Sequence, residues 1–215
     1  MGSISGMVRA VFLDALGTLV SLEPPWLSLR ARIPAEVSDE RLERALRAEM
    51  AYYRDHAHEA RDEASLAELR ERCAAIVSDE LGIEVTAAEL VDAIRFDAYP
   101  DAAPALLELR ERGLSLVAVS NWDCSLPAVL ERCGLGELLD GAVSSAAAGA
   151  RKPDPAIFEP ALELAGCTPD EALHVGDTPE EDVEGARAAG IRALLIARDG
   201  CGGDISSLDE IREHL

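Results

Sequence analysis

The stretch "VRAVFLDALGTLV" (residues 8–20) decides the fold. Residues 8–13, rich in Val, Phe and Leu, read as a strand buried on both faces, as in a parallel sheet covered by helices. The strand delivers Asp14 to a turn containing Gly17 and Thr18. Two residues after Asp14, where a second acid would complete a catalytic pair, stands Leu16.

Residues 22–96 have a different rhythm. "SDERLERALRAEMAYYRDHAHEA" and "ASLAELRERCAAIVSDELG" carry helical spacing, with Ser38 or Asp39 as N-cap and Gly82 as stop. "TAAELVDAIR" is a third helix, with Thr86 and Glu89 as a capping box. No strand is expected here, and the segment reads as an all-helical insert. Beyond it, the apolar runs "LSLVAVS", "GAVSSA", "EALHVGD" and "RALLIA" alternate with helical segments, including "PEEDVEGARAAG" read as one helix. Strands alternating with helices predict right-handed crossovers and an α/β, doubly wound, Rossmann-like parallel sheet. The expected organisation is a core of residues 7–21 and 97–215, interrupted by a helical insert at 22–96.

The bulk composition excludes several classes of partner. The 215 residues carry a net charge of −21, so nucleic-acid phosphates are repelled. No run approaches the roughly 18 apolar residues of a membrane span. The prefix "MGSISG" is too uncharged for a signal peptide. The five cysteines form no CxxC pair, which fits a reduced, cytoplasmic setting. Nineteen of the twenty basic residues are arginine, and the single lysine is Lys152, in "ARKPDP". An ammonium on a flexible stem reaches a crowded oxygen that a planar guanidinium cannot. A small anionic substrate would need such a local positive site. Oligomeric state is not encoded in any motif.

In a doubly wound sheet, ligands sit beyond the carboxyl ends of the strands. The first strand ends in Asp14, the second in Ser120 and Asn121, and "LHVGD" ends in Asp177 with Asp182 five residues on. A loop brings Lys152. Singly, each has an ordinary structural reading as a cap, a turn residue or a solvated helix position. Jointly they place carboxylates, an ammonium and a hydroxyl on one edge. Crowded carboxylates call for a cation, and oxygen-only ligands suit Mg²⁺.

"DALGTL", "VSNWD", "RKPDP" and "HVGDTPEED" resemble, in this order, the four motifs of the haloacid dehalogenase superfamily. The resemblance spans the chain, with residues 22–96 at the position of that family's small helical cap. It implies Asp14 as nucleophile, forming a covalent aspartyl intermediate, with Lys152 neutralising it. Thr18, Ser120, Asn121 and Lys152 would hold the transferring group. Asp14, Asp177 and the carbonyl of Leu16 would ligate Mg²⁺, supported by Asp182.

Leu16 departs from the phosphatases of that family, whose second acid protonates the leaving alkoxide and then activates water. Its 2-haloacid dehalogenase branch also lacks this acid, because a halide leaves without a proton. That branch, however, is metal-free, has a less acidic last motif, and usually carries tyrosine where this chain has Phe158. The family's phosphonate hydrolases use a lysine from the cap, and this chain has none there. Three readings stand: a Mg²⁺-dependent phosphatase-like hydrolase of a small phosphorylated metabolite, a 2-haloacid dehalogenase-like hydrolase, and a non-catalytic binding protein. Trp26, Tyr52, Tyr53 and Trp122 are candidate pocket walls, with packing as the first reading for each.

Overall fold

The computed structural model describes residues 7–215. The prefix read above for a leader lies outside the described residues. In chain order, the elements are β1 (Ala10–Leu13), β2 (Val20–Leu22), α1 (Pro25–Leu29), α2 (Asp39–His56), α3 (Glu63–Leu81), α4 (Ala87–Ala93), β3 (Phe96–Ala98) and α5 (Ala102–Glu111). They continue with β4 (Ser115–Ser120), α6 (Leu126–Arg132), β5 (Gly141–Ser144), α7 (Ser145–Ala148), α8 (Glu159–Ala165), β6 (Ala172–Gly176), α9 (Gly185–Ala188) and β7 (Arg192–Leu195).

Five strands form a parallel sheet in the order β5-β4-β1-β6-β7. The strand period of two sends alternate side chains into two cores. Val11 and Leu13 of β1, with Leu116 and Ala118 of β4, pack against α5 and α6 on one face. Ala10 and Phe12, with Val117 and Val119, pack against Phe158 and Ala161 on the other. The chain winds outward from β1 through β4 to β5, then returns to place β6 on the opposite side of β1. The order therefore reverses between β1 and β6, which opens a crevice at their carboxyl ends.

The segment between β2 and β3 is helical and has its own core, with Leu42 and Leu46 of α2 meeting Leu69, Val77 and Leu90. Its expected caps are present. Ser38 Oγ accepts from the Arg41 N–H, Gly82 adopts φ +64°, and Thr86 and Glu89 exchange capping-box bonds. One expectation needs correction. Leu22 and Phe96, at the two edges of the insert, pair in an antiparallel ribbon made by β2 and β3. Three-residue strands are too short to show alternation in a sequence. Helix α1 was also unexpected; it starts at Pro25, whose fixed φ suits a first helical turn.

The segment read as one helix over 179–190 is divided. Pro179–Glu184 form a π-helical turn, and α9 follows from Gly185. Gly185 lies so near Pro153 that an added Cβ would come within 3.0 Å of its Cα. The turn folds the Asp182 carboxyl back onto the Thr178 N–H at 2.9 Å. At the C-terminus, Leu208–Glu213 form a 3₁₀ turn that returns to the start of α5.

Candidate active site

Asp14 extends β1 by one residue. Its N–H still donates to the carbonyl of Val175 in β6, at 2.9 Å. The side chain turns to the crevice and is 6% exposed. Its Oδ1 accepts from Ser120 Oγ at 2.9 Å and Lys152 Nζ at 2.5 Å. Neither donor engages Oδ2.

Lys152 is buried, and its three ammonium protons have three acceptors: Asp14 Oδ1, Asp182 Oδ1 at 2.5 Å and the Val119 carbonyl at 3.0 Å. Three convergent oxygens suit an ammonium and not a planar guanidinium. This accounts for the single lysine in an arginine-rich chain. Asn121 holds the lysine loop: its Oδ1 accepts from the Lys152 N–H at 2.7 Å, and its Nδ2 donates to the Lys152 carbonyl at 3.0 Å and to Glu181 Oε2 at 2.9 Å. The side-chain amide of Asn121 is thereby engaged by the protein.

Asp182 is equally occupied. Oδ1 receives Lys152 and lies 3.0 Å from His174 Nε2, and Oδ2 accepts from Thr178. An added Cβ on Gly176 would meet the Asp182 Cγ at 2.1 Å, so β6 must end in glycine for this carboxylate to seat. His174 was not singled out in the sequence. It is fully buried and stacks edge-on against Phe158, with ring centroids 5.0 Å apart. The available signal was an imidazole within the otherwise apolar run "ALHVG".

Asp177 sits at the exposed end of the same strand. It leans over Gly17, where φ is +87° and an added Cβ would lie 2.2 Å from its Oδ2. One carboxylate oxygen from each of Asp14, Asp177 and Asp182 lies within 4.8 Å of the others. Burial pushes Asp14 up, Lys152 pulls it down, and Asp182 and Asp177 push it up again, leaving it at about 6. Burial also opposes ionisation of Asp182, but Lys152 and His174 hold it well below the usual carboxylate range. Burial lowers Lys152, and the two aspartates more than reverse this. Burial, then Asp182, raises Asp177.

Thr18 is placed elsewhere than expected. It is fully buried and absent from the cleft wall, and its carbonyl accepts from Arg198. The sheet edge and the helical insert enclose a cleft of about 600 Å³. Leu16 lines it at 37% exposure. Among the described residues, no hydrogen bond is donated to the Leu16 carbonyl. Of the four candidate wall residues, Trp26, Tyr53 and Trp122 line the cleft and Tyr52 does not.

The profile of the haloacid dehalogenase-like hydrolases matches residues 8–190. The chain belongs to this family. Haloacid dehalogenase-like hydrolase domain-containing protein 3 of Bos taurus is 46% identical over 96 residues, 45% of this chain and 38% of the relative. The phosphoserine phosphatase of Thermus thermophilus is 41% identical over 105 residues, 48% of this chain and 42% of the relative. The chain thus spans about two fifths of these curated relatives. A HAD phosphatase from Thermococcus onnurineus superposes with a TM-score of 0.69 at 25% identity, covering 96% of this chain and 97% of the other. The L-2-haloacid dehalogenase from Xanthobacter autotrophicus gives 0.73 at 25% identity, covering 96% and 98%. The haloacid dehalogenase-like fold is therefore shared with both chemistries, and the choice between them rests on the site.

Proposed function

We propose that this haloacid dehalogenase-like hydrolase is a phosphatase of small phosphorylated metabolites, acting through an aspartyl phosphate on Asp14. The observation that carries the reading is the three-carboxylate cluster beside a fully engaged lysine. In this reading, residues 22–96 form the cap over the core.

Asp14 Oδ2, the oxygen left free by Ser120 and Lys152, attacks phosphorus, and the bond to the ester oxygen breaks. Lys152 balances the charge of Asp14 and, being held by Asp182, does not swing away as the phosphoryl group arrives. Ser120 fixes the orientation of the nucleophile. Water then hydrolyses the aspartyl phosphate and restores Asp14. Leu16 has no proton to give, so esters whose leaving groups are stable as anions react best.

The residues fit Mg²⁺. The donors are all oxygen, the three carboxylates crowd within 4.8 Å of one another, and Gly17 leaves the space into which Asp177 leans. Asp14, Asp177 and the Leu16 carbonyl would hold the ion, with Asp182 alongside. When bound, it supplies charge neutralisation to the phosphoryl oxygens. Leu16 favours a second reading, 2-haloacid dehalogenation, since halide needs no proton. The carboxylate cluster opposes it, since three crowded carboxylates suit a cation that halide release does not need.

The test is a melting curve and a turnover assay with and without millimolar Mg²⁺. Wild type should melt higher with Mg²⁺, by mass action, and Asp177→Asn should not. Aryl phosphate cleavage should require the ion. Turnover of a 2-haloacid in chelator, with no phosphatase activity, would reverse the assignment.

A further inference from the structure

One buried titratable side chain beside the site has no task in the reaction steps above. His174 lies in β6, a central strand held by β1 through Phe12 and by β7 through Ala193. Its side chain shares a face with Ala172, in the apolar core that contains Phe12 and Phe158, and it is fully buried there. An imidazole in such surroundings costs stability that leucine would not. Among the described residues, its Nδ1 has no hydrogen-bond partner. The ring is held by one polar contact, from Nε2 to Asp182 Oδ1 at 3.0 Å. Packing does not explain a histidine here.

The direction of that contact follows from what else Oδ1 meets. It receives the Lys152 ammonium at 2.5 Å, which keeps the carboxylate ionised and able only to accept. Nε2 is therefore the donor. Asp182 takes donors from three places: Lys152, His174 and, on Oδ2, the Thr178 N–H. Lys152 is the group being held. Thr178 opens the same π-helical turn that carries Asp182, so it moves with that turn. His174 alone of the three is rooted in a central strand. It ties to the sheet the one oxygen of Asp182 that Lys152 uses.

We propose that His174 is a positioning residue: by donating to the oxygen of Asp182 that grips Lys152, it fixes the ammonium against Asp14. The placing of Lys152 stands on the geometry; its effect on turnover rests on the phosphatase reading above. Without the Nε2 bond, the Asp182 carboxylate turns about its Cβ–Cγ bond and Lys152 loses a fixed acceptor. The ammonium is still present, so substrate binding changes less than the attack that needs it in place.

The single lysine makes this visible. Isotopic labelling of lysine gives one Cε signal in NMR, and its two Hε protons stay well separated only while the side chain is held. His174→Leu removes the donor at nearly constant volume and takes the unpartnered Nδ1 out of the core, so the fold should persist. The Hε protons, separated in wild type, should move together. The kcat for an aryl phosphate with Mg²⁺ should fall at least about tenfold, with KM within about twofold. His174→Gln, whose amide nitrogen reaches the place of Nε2, should regain both readouts. His174→Asn, one bond shorter, should regain neither. If His174→Leu melts early, His174→Gln against His174→Asn decides. An unmoved Lys152 signal, an unchanged kcat in an active enzyme, or His174→Gln and His174→Asn behaving alike would overturn the proposal. A wild type that cleaves no phosphate ester removes the phosphatase reading only, and the Lys152 signal then decides the placing of the ammonium.

Discussion

At position 16 a leucine side chain faces the cleft where a proton donor is missing. It is partly exposed and belongs to neither core of the sheet, so replacing it should alter stability by only about 0.5 kcal/mol. Leu16→Asp places a carboxyl two residues from the nucleophile. The surrounding Asp14, Asp177 and Asp182 favour its protonated form, as an acid catalyst requires. The expected gain in kcat/KM for an alkyl phosphate approaches about 10²–10⁴, the usual worth of general acid catalysis. An aryl phosphate should gain less, because its leaving group needs no proton. Kinetics on both esters, with a melting curve to confirm folding, check this. A folded variant with equal gains on the two would show that position 16 is not what limits the enzyme.

At the scale of elements, the C-terminal 3₁₀ turn is fastened to the start of α5 through Asp101. Asp101 Oδ2 accepts from Arg198 at 2.6 Å, Ser207 Oγ at 2.9 Å and the Leu208 N–H at 2.8 Å. Arg198 continues to the Thr18 carbonyl, so the same knot braces the loop after Asp14. Burial opposes ionisation of Asp101, but its donors prevail and hold it below the ordinary value. Its contribution is therefore complete above the unfolded pKa of about 4 and disappears as pH falls through the lower folded value. Asp101→Asn should cost about 1–3 kcal/mol near neutral pH. The gap in melting temperature from wild type should close in acid; a gap independent of pH would show that the charge is not what fastens the turn. The strands that end in site residues were legible because β1, β4 and β6 are buried on both faces and read as unbroken apolar runs. The ribbon of β2 and β3 was not, since its pairing joins residues more than seventy positions apart over three residues each. Asp14, Ser120, Lys152 and Asp177 were legible from their places at strand ends and loops. Thr18 is fully buried and outside the cleft wall, which its proximity to Asp14 along the chain does not reveal. The contacts of His174 with Asp182 and of Tyr53 with Asp123 depend on which groups the fold sets opposite them, and no local pattern encodes that.

For the whole molecule, the net charge of −21 is opposed at the centre of the site by one buried ammonium. The sheet, the lysine loop and the β6 turn all converge on it, so the ammonium becomes accessible only when these parts separate. This makes the protein its own reporter of opening. An acylating reagent selective for amines has one side-chain amine to find in these 215 residues, Lys152. Lys152 should stay unmodified in the folded protein and be acylated in urea as the sheet edge opens. Peptide mass spectrometry reads this directly, and acylation of Lys152 equally fast without denaturant would contradict its burial. Chemical modification, commonly a mixture of many sites, becomes here a single-residue clock for unfolding.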